Sequence, residues 1–213
     1  ISHSEYSIGE EPIPLDALQF WVVLPDSARH GAPGFERHTD LPTLTLPAGE
    51  GADAEATVVL GEFAGVRSPA TVHTPIVGAE IVLAPGSRVR LPLRSDWEHA
   101  VMLVEGDAVV AQHPLDRNGL LYLGDSRDAV EVSSDAGALL FLLGGEPFED
   151  DIVMWWNFAG RSHDEIVAAR EAWEAESATG AASPRFGAVE GHDVRIPAPP
   201  LPDVRLMPRS RKL

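Results

Sequence analysis

The chain has 213 residues, 44% of them hydrophobic and 23% charged, an ordinary globular composition with enough apolar material to bury a core. Sixteen basic residues against 33 acidic ones leave a net charge of −17, a field that repels phosphate backbones and anionic lipid and argues against direct nucleic-acid or membrane binding. Cysteine is absent, which removes disulfides, thiolate metal sites, iron–sulfur clusters and cysteine nucleophiles together.

The longest purely apolar run, Ala138–Leu143, is six residues, far short of a membrane span. No basic-then-apolar leader precedes Glu10, so the expected location is the cytoplasm. The first residue is Ile1 rather than Met, as in a processed or truncated chain or a piece of a longer product.

Eighteen prolines and 19 glycines cut the chain into short segments, most of which read as strands. Ala17–Leu24 is a mostly apolar run stopped by Pro25, and Ala56–Leu60 is another, followed by Gly61. Val89, Leu91 and Leu93 alternate with Arg88, Arg90 and Pro92, the period-2 pattern of a half-buried strand. Ala100–Val104 and Ala108–Ala111 flank Glu105-Gly106-Asp107, a short link that suits a hairpin. Leu120–Leu123, Ala129–Val132 and Ala138–Leu143 continue the series. Strands at this spacing without intervening helices predict an antiparallel sandwich or barrel, and the blocks 1–65 and 72–145 read as two copies of one fold.

The pattern changes after Gly144-Gly145. Ser162-His163-Asp164-Glu165 fits a capping box, and Ile166, Ala169 and Trp173 then recur at helical spacing until Gly180. Residues 146–176 carry nine acidic and two basic residues, which reads as a solvated acidic face. Trp155-Trp156-Asn157-Phe158 reads as an apolar latch between barrel and helix, and alternatively as the lining of a pocket. From Pro184 to Pro208 the chain holds six prolines and predicts an extended strap.

His3 and Glu5 are two apart, so on a strand both side chains share one face. An imidazole and a carboxylate placed so can be two ligands of a borderline metal such as Fe(II), Mn(II) or Ni(II); the same pair is otherwise a polar strand end. The histidines at 30, 38, 73, 113, 163 and 192 do not pair. Glu98-His99 begins a strand where a metal-binding barrel carries His-x-His, but Trp97 stands in place of the first histidine, so His99 reads as a structural or surface histidine and residues 72–145 as metal-free. Nucleophile elbows, phosphate-binding loops, GxGxxG and HExxH are all absent.

Three stretches resemble the pirin family of the cupin superfamily. Ile1–Glu5 is similar to the end of its first metal motif, Gly-Ile-x-His-x-Glu; Leu18–Pro25 (LQFWVVLP) to the strand after it; and Phe141–Phe158, with Leu-Leu-Gly-Gly-Glu-Pro and then Ile152–Phe158, to its C-terminal signature. The resemblance implies a mainly β protein of two cupin-like antiparallel barrels, the first incomplete here, with one C-terminal helix. Residues 1–65 would end the first barrel, 72–145 form the second, degenerate one, and 146–213 close the fold with a helix over about 162–179 and a proline-rich extended tail. It further implies that His3 and Glu5 ligate a divalent metal, Fe(2+) or another transition metal. The other two ligands, a His-x-His pair, would lie in the preceding part of the first barrel.

Two functions follow from the resemblance. In a quercetin 2,3-dioxygenase-type enzyme, His3 is a ligand and Glu5 also the base that takes the proton of a flavonol-like aromatic substrate. In a non-enzymatic, iron-dependent regulatory module, the acidic surface and second barrel contact a protein partner. A third possibility is an inactive, truncated pirin.

Overall fold

A computed structural model of the chain describes residue 3 and residues 17–179, 185–187 and 195–208. The contacts divide it into two compact units, Leu24–Ala28 with Phe35–Phe148, and Ile1–Val23 with Arg29–Gly34 and Glu149–Leu213. Among the described residues there are fourteen strands and one helix, and no helix is long and apolar enough to cross a membrane. The protein is mainly β, with antiparallel sheets.

The first unit holds two facing sheets. In chain order its strands are β1 (Thr43–Leu46), β2 (Ala48–Glu50), β3 (Ala54–Phe63), β4 (Val66–Arg67), β5 (Ile76–Leu83), β6 (Ser87–Pro92), β7 (Glu98–Gly106), β8 (Ala108–Val110), β9 (His113–Leu115), β10 (Leu120–Gly124), β11 (Ala129–Ser134) and β12 (Ala138–Gly145). The larger sheet runs β1-β3-β5-β12-β7-β10, with β4 against β3, and the smaller runs β2-β6-β11-β8-β9. Leu46, Val58, Ile81, Val101, Leu103, Leu140 and Leu142 from the larger meet Val89, Leu91, Val110, Val130 and Val132 from the smaller in one core.

The residue pattern explains these strands. Strand β6 alternates strictly, with Ser87, Val89 and Leu91 buried and Arg88, Arg90 and Pro92 exposed. Across the pair with β11, Arg88 reaches Glu131 at 2.6 Å and Arg90 reaches Asp128 at 3.2 Å, so the outer face carries an ion-pair ladder. Strand β12 instead is an apolar run because both of its faces are covered, Leu140 and Leu142 being fully buried on one and Phe141 buried on the other.

Three expectations meet the structure here. Across the expected boundary between 65 and 72, β3 pairs with β5 from Glu55↔Val82 to Gly61↔Val77, and residues 35–148 fall in one compact unit. The glycines and prolines of that stretch mark turns within this unit. Second, Glu105-Gly106-Asp107 does not close a hairpin. Strand β7 pairs with β10 and β12, whereas β8 crosses to the other sheet and pairs with β9 and β11. The Asp107 carboxylate fixes the crossing by accepting from the amides of Asp135 at 3.1 Å and Ala136 at 2.9 Å. Third, Ala17–Leu24 is not a strand among the described residues, and Leu18, Phe20, Trp21 and Val22 are exposed.

The β8–β9 hairpin turns on Ala111 and Gln112, whose φ values of 50° and 68° lie in the left-handed region. A two-residue turn with both central residues left-handed suits Asn-Gly, and an L side chain there is strained. Gln112→Gly, or Ala111→Asn with it, is therefore expected to stabilise the protein by about 1 kcal/mol in urea unfolding. Destabilisation of the same size would contradict the turn assignment.

The second unit contains a hairpin of β13 (Val153–Trp155) and β14 (Phe158–Gly160) and the helix α1 (His163–Thr179). Ser162 caps α1 as expected, its hydroxyl accepting from the Glu165 amide at 3.2 Å. The reciprocal half of the capping box differs, since the Glu165 carboxylate accepts from the Arg161 amide at 2.9 Å and from both Arg29 terminal nitrogens at 2.8 and 3.0 Å. Phe158, Ile166 and Ala169 are buried on the helix side of the hairpin, with Trp155, Trp156, Trp173 and Phe186 packed around them. The double tryptophan thus serves as core of this unit, its Trp156 ring meeting Trp173 edge-on at 6.2 Å.

Arg29, then the Arg161 amide, hold the Glu165 carboxyl at about 2, below its ordinary 4.5. A depressed folded-state value means that the stabilisation is complete above pH 4.5 and is lost as the pH falls from there toward 2. Because the Glu165 side chain is 37% exposed, solvent screening reduces the contribution to about 1 kcal/mol. Glu165→Gln is expected to lower stability by that amount at pH 7 and by almost nothing near pH 2, which parallel thermal melts would test.

Candidate functional site

His3 is exposed and lies outside regular secondary structure. Glu5 falls outside the described residues, so the expected pair is not seen together. Among the described residues no three His, Asp or Glu side chains converge as a metal site. The chemistry of the pair, one imidazole nitrogen and one carboxylate oxygen, suits a borderline divalent ion and amounts to half of a four-ligand set.

In the first unit, β7 carries His99 inward at 3% exposure with Trp97 just before it at 5%. Their rings stack at 6.4 Å with 24° between planes, and the Arg94 guanidinium sits 4.8 Å over Trp97 while gripping Asp96 with two hydrogen bonds. Burial lowers the pKa of the His99 imidazole, against the opposing pull of the Trp97 carbonyl and the Asp96 carboxylate, which favours the uncharged ring. Its Nδ1 and the Trp97 Nε1 have no hydrogen-bond partner among the described residues. On the facing strand Gly144 leaves space for the imidazole, since a Cβ there would strike the ring. His99 therefore packs as a core residue, and His73 and His113 are exposed elsewhere.

Two other polar features have no signal in the sequence because their parts lie far apart along the chain. The Glu36 carboxylate contacts His38 Nε2 at 3.0 Å and accepts from the Thr71 amide at 3.0 Å, contacts that hold its pKa at about 2. Asp40, Leu41, Pro42, Arg67, Ser68 and Pro69 line an open surface depression of about 550 Å³. Arg67 is engaged with Glu62 at 2.6 Å, and the Ser68 hydroxyl donates to the Val59 carbonyl at 2.8 Å.

Residues 78–178 match the pirin C-terminal cupin domain. Over 205 residues, 95% of this chain, the sequence is 37% identical to a Pseudomonas aeruginosa protein whose name provisionally assigns it to the quercetin 2,3-dioxygenases. It is also 27% identical over 176 residues, 78% of this chain, to Pirin-1 of Arabidopsis thaliana. The chain spans 61% and 58% of the lengths of these two relatives. Among solved structures, a quercetin 2,3-dioxygenase from Acinetobacter baumannii superposes with a TM-score of 0.75 at 35% identity, covering 87% of this chain and 59% of that one. The strand pattern, the closing helix and these likenesses agree, and over residues 78–178 the chain resembles the pirin C-terminal cupin domain.

Proposed function

We propose that this chain is part of a metal-dependent dioxygenase of the quercetin 2,3-dioxygenase type, acting on a flavonol-like aromatic substrate in the cytoplasm. The likeness to the Acinetobacter baumannii quercetin 2,3-dioxygenase supports this reading most directly. In it His3 contributes an imidazole nitrogen and Glu5 a carboxylate oxygen to a divalent centre such as Fe(2+), with the remaining ligands supplied by a His-x-His segment outside these 213 residues. When bound, the metal supplies a redox-active centre that gathers the substrate and dioxygen. Glu5 accepts the proton of the incoming substrate hydroxyl, which a carboxylate does well once that hydroxyl is polarised.

A second reading, a regulatory module that binds a protein partner, draws on the net charge of −17, an electrostatic footprint suited to a basic partner. Metal analysis of the protein carrying both ligand segments, followed by oxygen uptake with quercetin, separates the two. Stoichiometric metal with quercetin-dependent oxygen consumption supports the enzyme. Stoichiometric metal without oxygen consumption overturns it in favour of the module, and the absence of metal overturns both.

A further inference from the structure

Residues 195–208 lie along α1 without forming a strand, and polar contacts fix them at two places. At one, Trp173 Nε1 donates to the Ile196 carbonyl at 2.8 Å, Arg170 Nε to the Pro199 carbonyl at 2.6 Å, and the Ala198 amide to Glu174 Oε1 at 2.7 Å. At the other, the Leu206 amide donates to His163 Nδ1 at 3.0 Å, and Arg205 pairs with Asp164 at 3.1 Å. Ala198 is buried and Leu201 and Leu206 pack against the core of this unit.

The bond at His163 has a chemical consequence that the others lack. A backbone amide can only donate, so Nδ1 must hold a lone pair, which makes the ring neutral with its proton on Nε2. Protonating Nδ1 would set one N–H against another. It would also place a positive charge in the first turn of α1, where the helix macrodipole disfavours cations. Among the described residues the charged groups next to His163 are Asp164 and Glu165 on α1, Arg161 before it and Arg205 on the strap. Of the two carboxylates, Asp164 is engaged by Arg205 and Glu165 by Arg29, so the favourable field on an imidazolium is partly cancelled.

We propose that His163 is an acid-sensitive latch that holds the Leu206 end of the strap when neutral and releases it when protonated. The other end, with its two carbonyl acceptors and the Glu174 carboxylate, has no imidazole among the described residues that hold it and stays in place through the same pH range. Imidazoles titrate between about pH 5 and 8, within reach of ordinary physiological acidification.

Amide exchange read residue by residue by NMR on the whole chain, corrected for the intrinsic pH dependence, tests this. Between pH 8 and pH 5.5 the Leu206 amide should lose about tenfold in protection while the Ala198 amide keeps its own. Asparagine presents its Oδ1 where Nδ1 sits and does not titrate, so His163→Asn should keep Leu206 protected at both pH values. His163→Ala should expose it at both. The ring nitrogen shifts at pH 8 should report the Nε2–H tautomer. An Nδ1–H tautomer, unchanged Leu206 protection at pH 5.5, parallel loss at Ala198, loss in His163→Asn equal to that of the parent, or full protection in His163→Ala would each overturn the latch.

Discussion

Removing the imidazole of His3 is expected to weaken divalent-metal binding by at least 10- to 100-fold in a protein that also carries the upstream His-x-His segment. Loss of hydrogen-bonding partners behind a metal ligand already costs that much in other proteins, and His3→Ala deletes one of four proposed ligands outright. Glu5→Gln divides the two roles given to the carboxylate. A glutamine carbonyl oxygen can still coordinate, so metal affinity should fall less than in His3→Ala. An amide accepts no proton at neutral pH, so oxygen uptake with quercetin should fall more, by the 10²- to 10⁴-fold typical of a removed general base. Metal titration and oxygen consumption on the two variants separate the effects. Full activity in Glu5→Gln would remove Glu5 from the proton transfer, and unchanged metal binding in His3→Ala would remove His3 from the ligand set. The 213 residues alone should hold such a metal weakly, because a His-x-Glu pair leaves most coordination positions to water.

What was legible in the sequence is what depends on near neighbours. The alternation through Ser87–Pro92 registers which face of one strand meets the core, and it appears in the structure residue by residue. The Ser162 cap is likewise local, since the hydroxyl and the amide it serves are three residues apart. Partner choice is not local. Glu105-Gly106-Asp107 looks the same whether the flanking strands pair or part to opposite sheets, and the decision rests with Asp135 and Ala136, about thirty residues further on. The acidic run around α1 read as solvated for the same reason. Asp164, Glu165, Glu174 and Glu176 each bind a group distant in sequence, Arg205, Arg29, the Ala198 amide and Arg195. For the proposed site the sequence offers only chemistry: a two-residue spacing puts a histidine and a glutamate on one face wherever the segment is a strand, but a metal centre is assembled from several strands, and one pair cannot specify the others.

The largest stability effect is expected at the centre of the twelve-strand unit. Leu140 is fully buried, and in register it stands between Ile81 on β5 and Leu103 on β7, both buried to within 1%. Truncation to alanine removes three carbons where neighbours on both sides belong to hydrogen-bonded strands and cannot collapse inward. The cost is therefore the lost transfer energy plus an unfilled cavity, about 3 kcal/mol. Against the roughly 5–15 kcal/mol that holds a typical domain folded, a loss of that size shifts the urea midpoint strongly. Val82 lies on β5 beside this site, but its side chain points to the other face and is 47% exposed. Val82→Ala should cost less than about 0.5 kcal/mol, because little contact is lost and no cavity forms. Measuring both variants by urea unfolding fixes the difference between inner and outer face on one sheet. A Leu140→Ala cost below 1 kcal/mol, or one matched by Val82→Ala, would show that β12 does not bury this face against the smaller sheet.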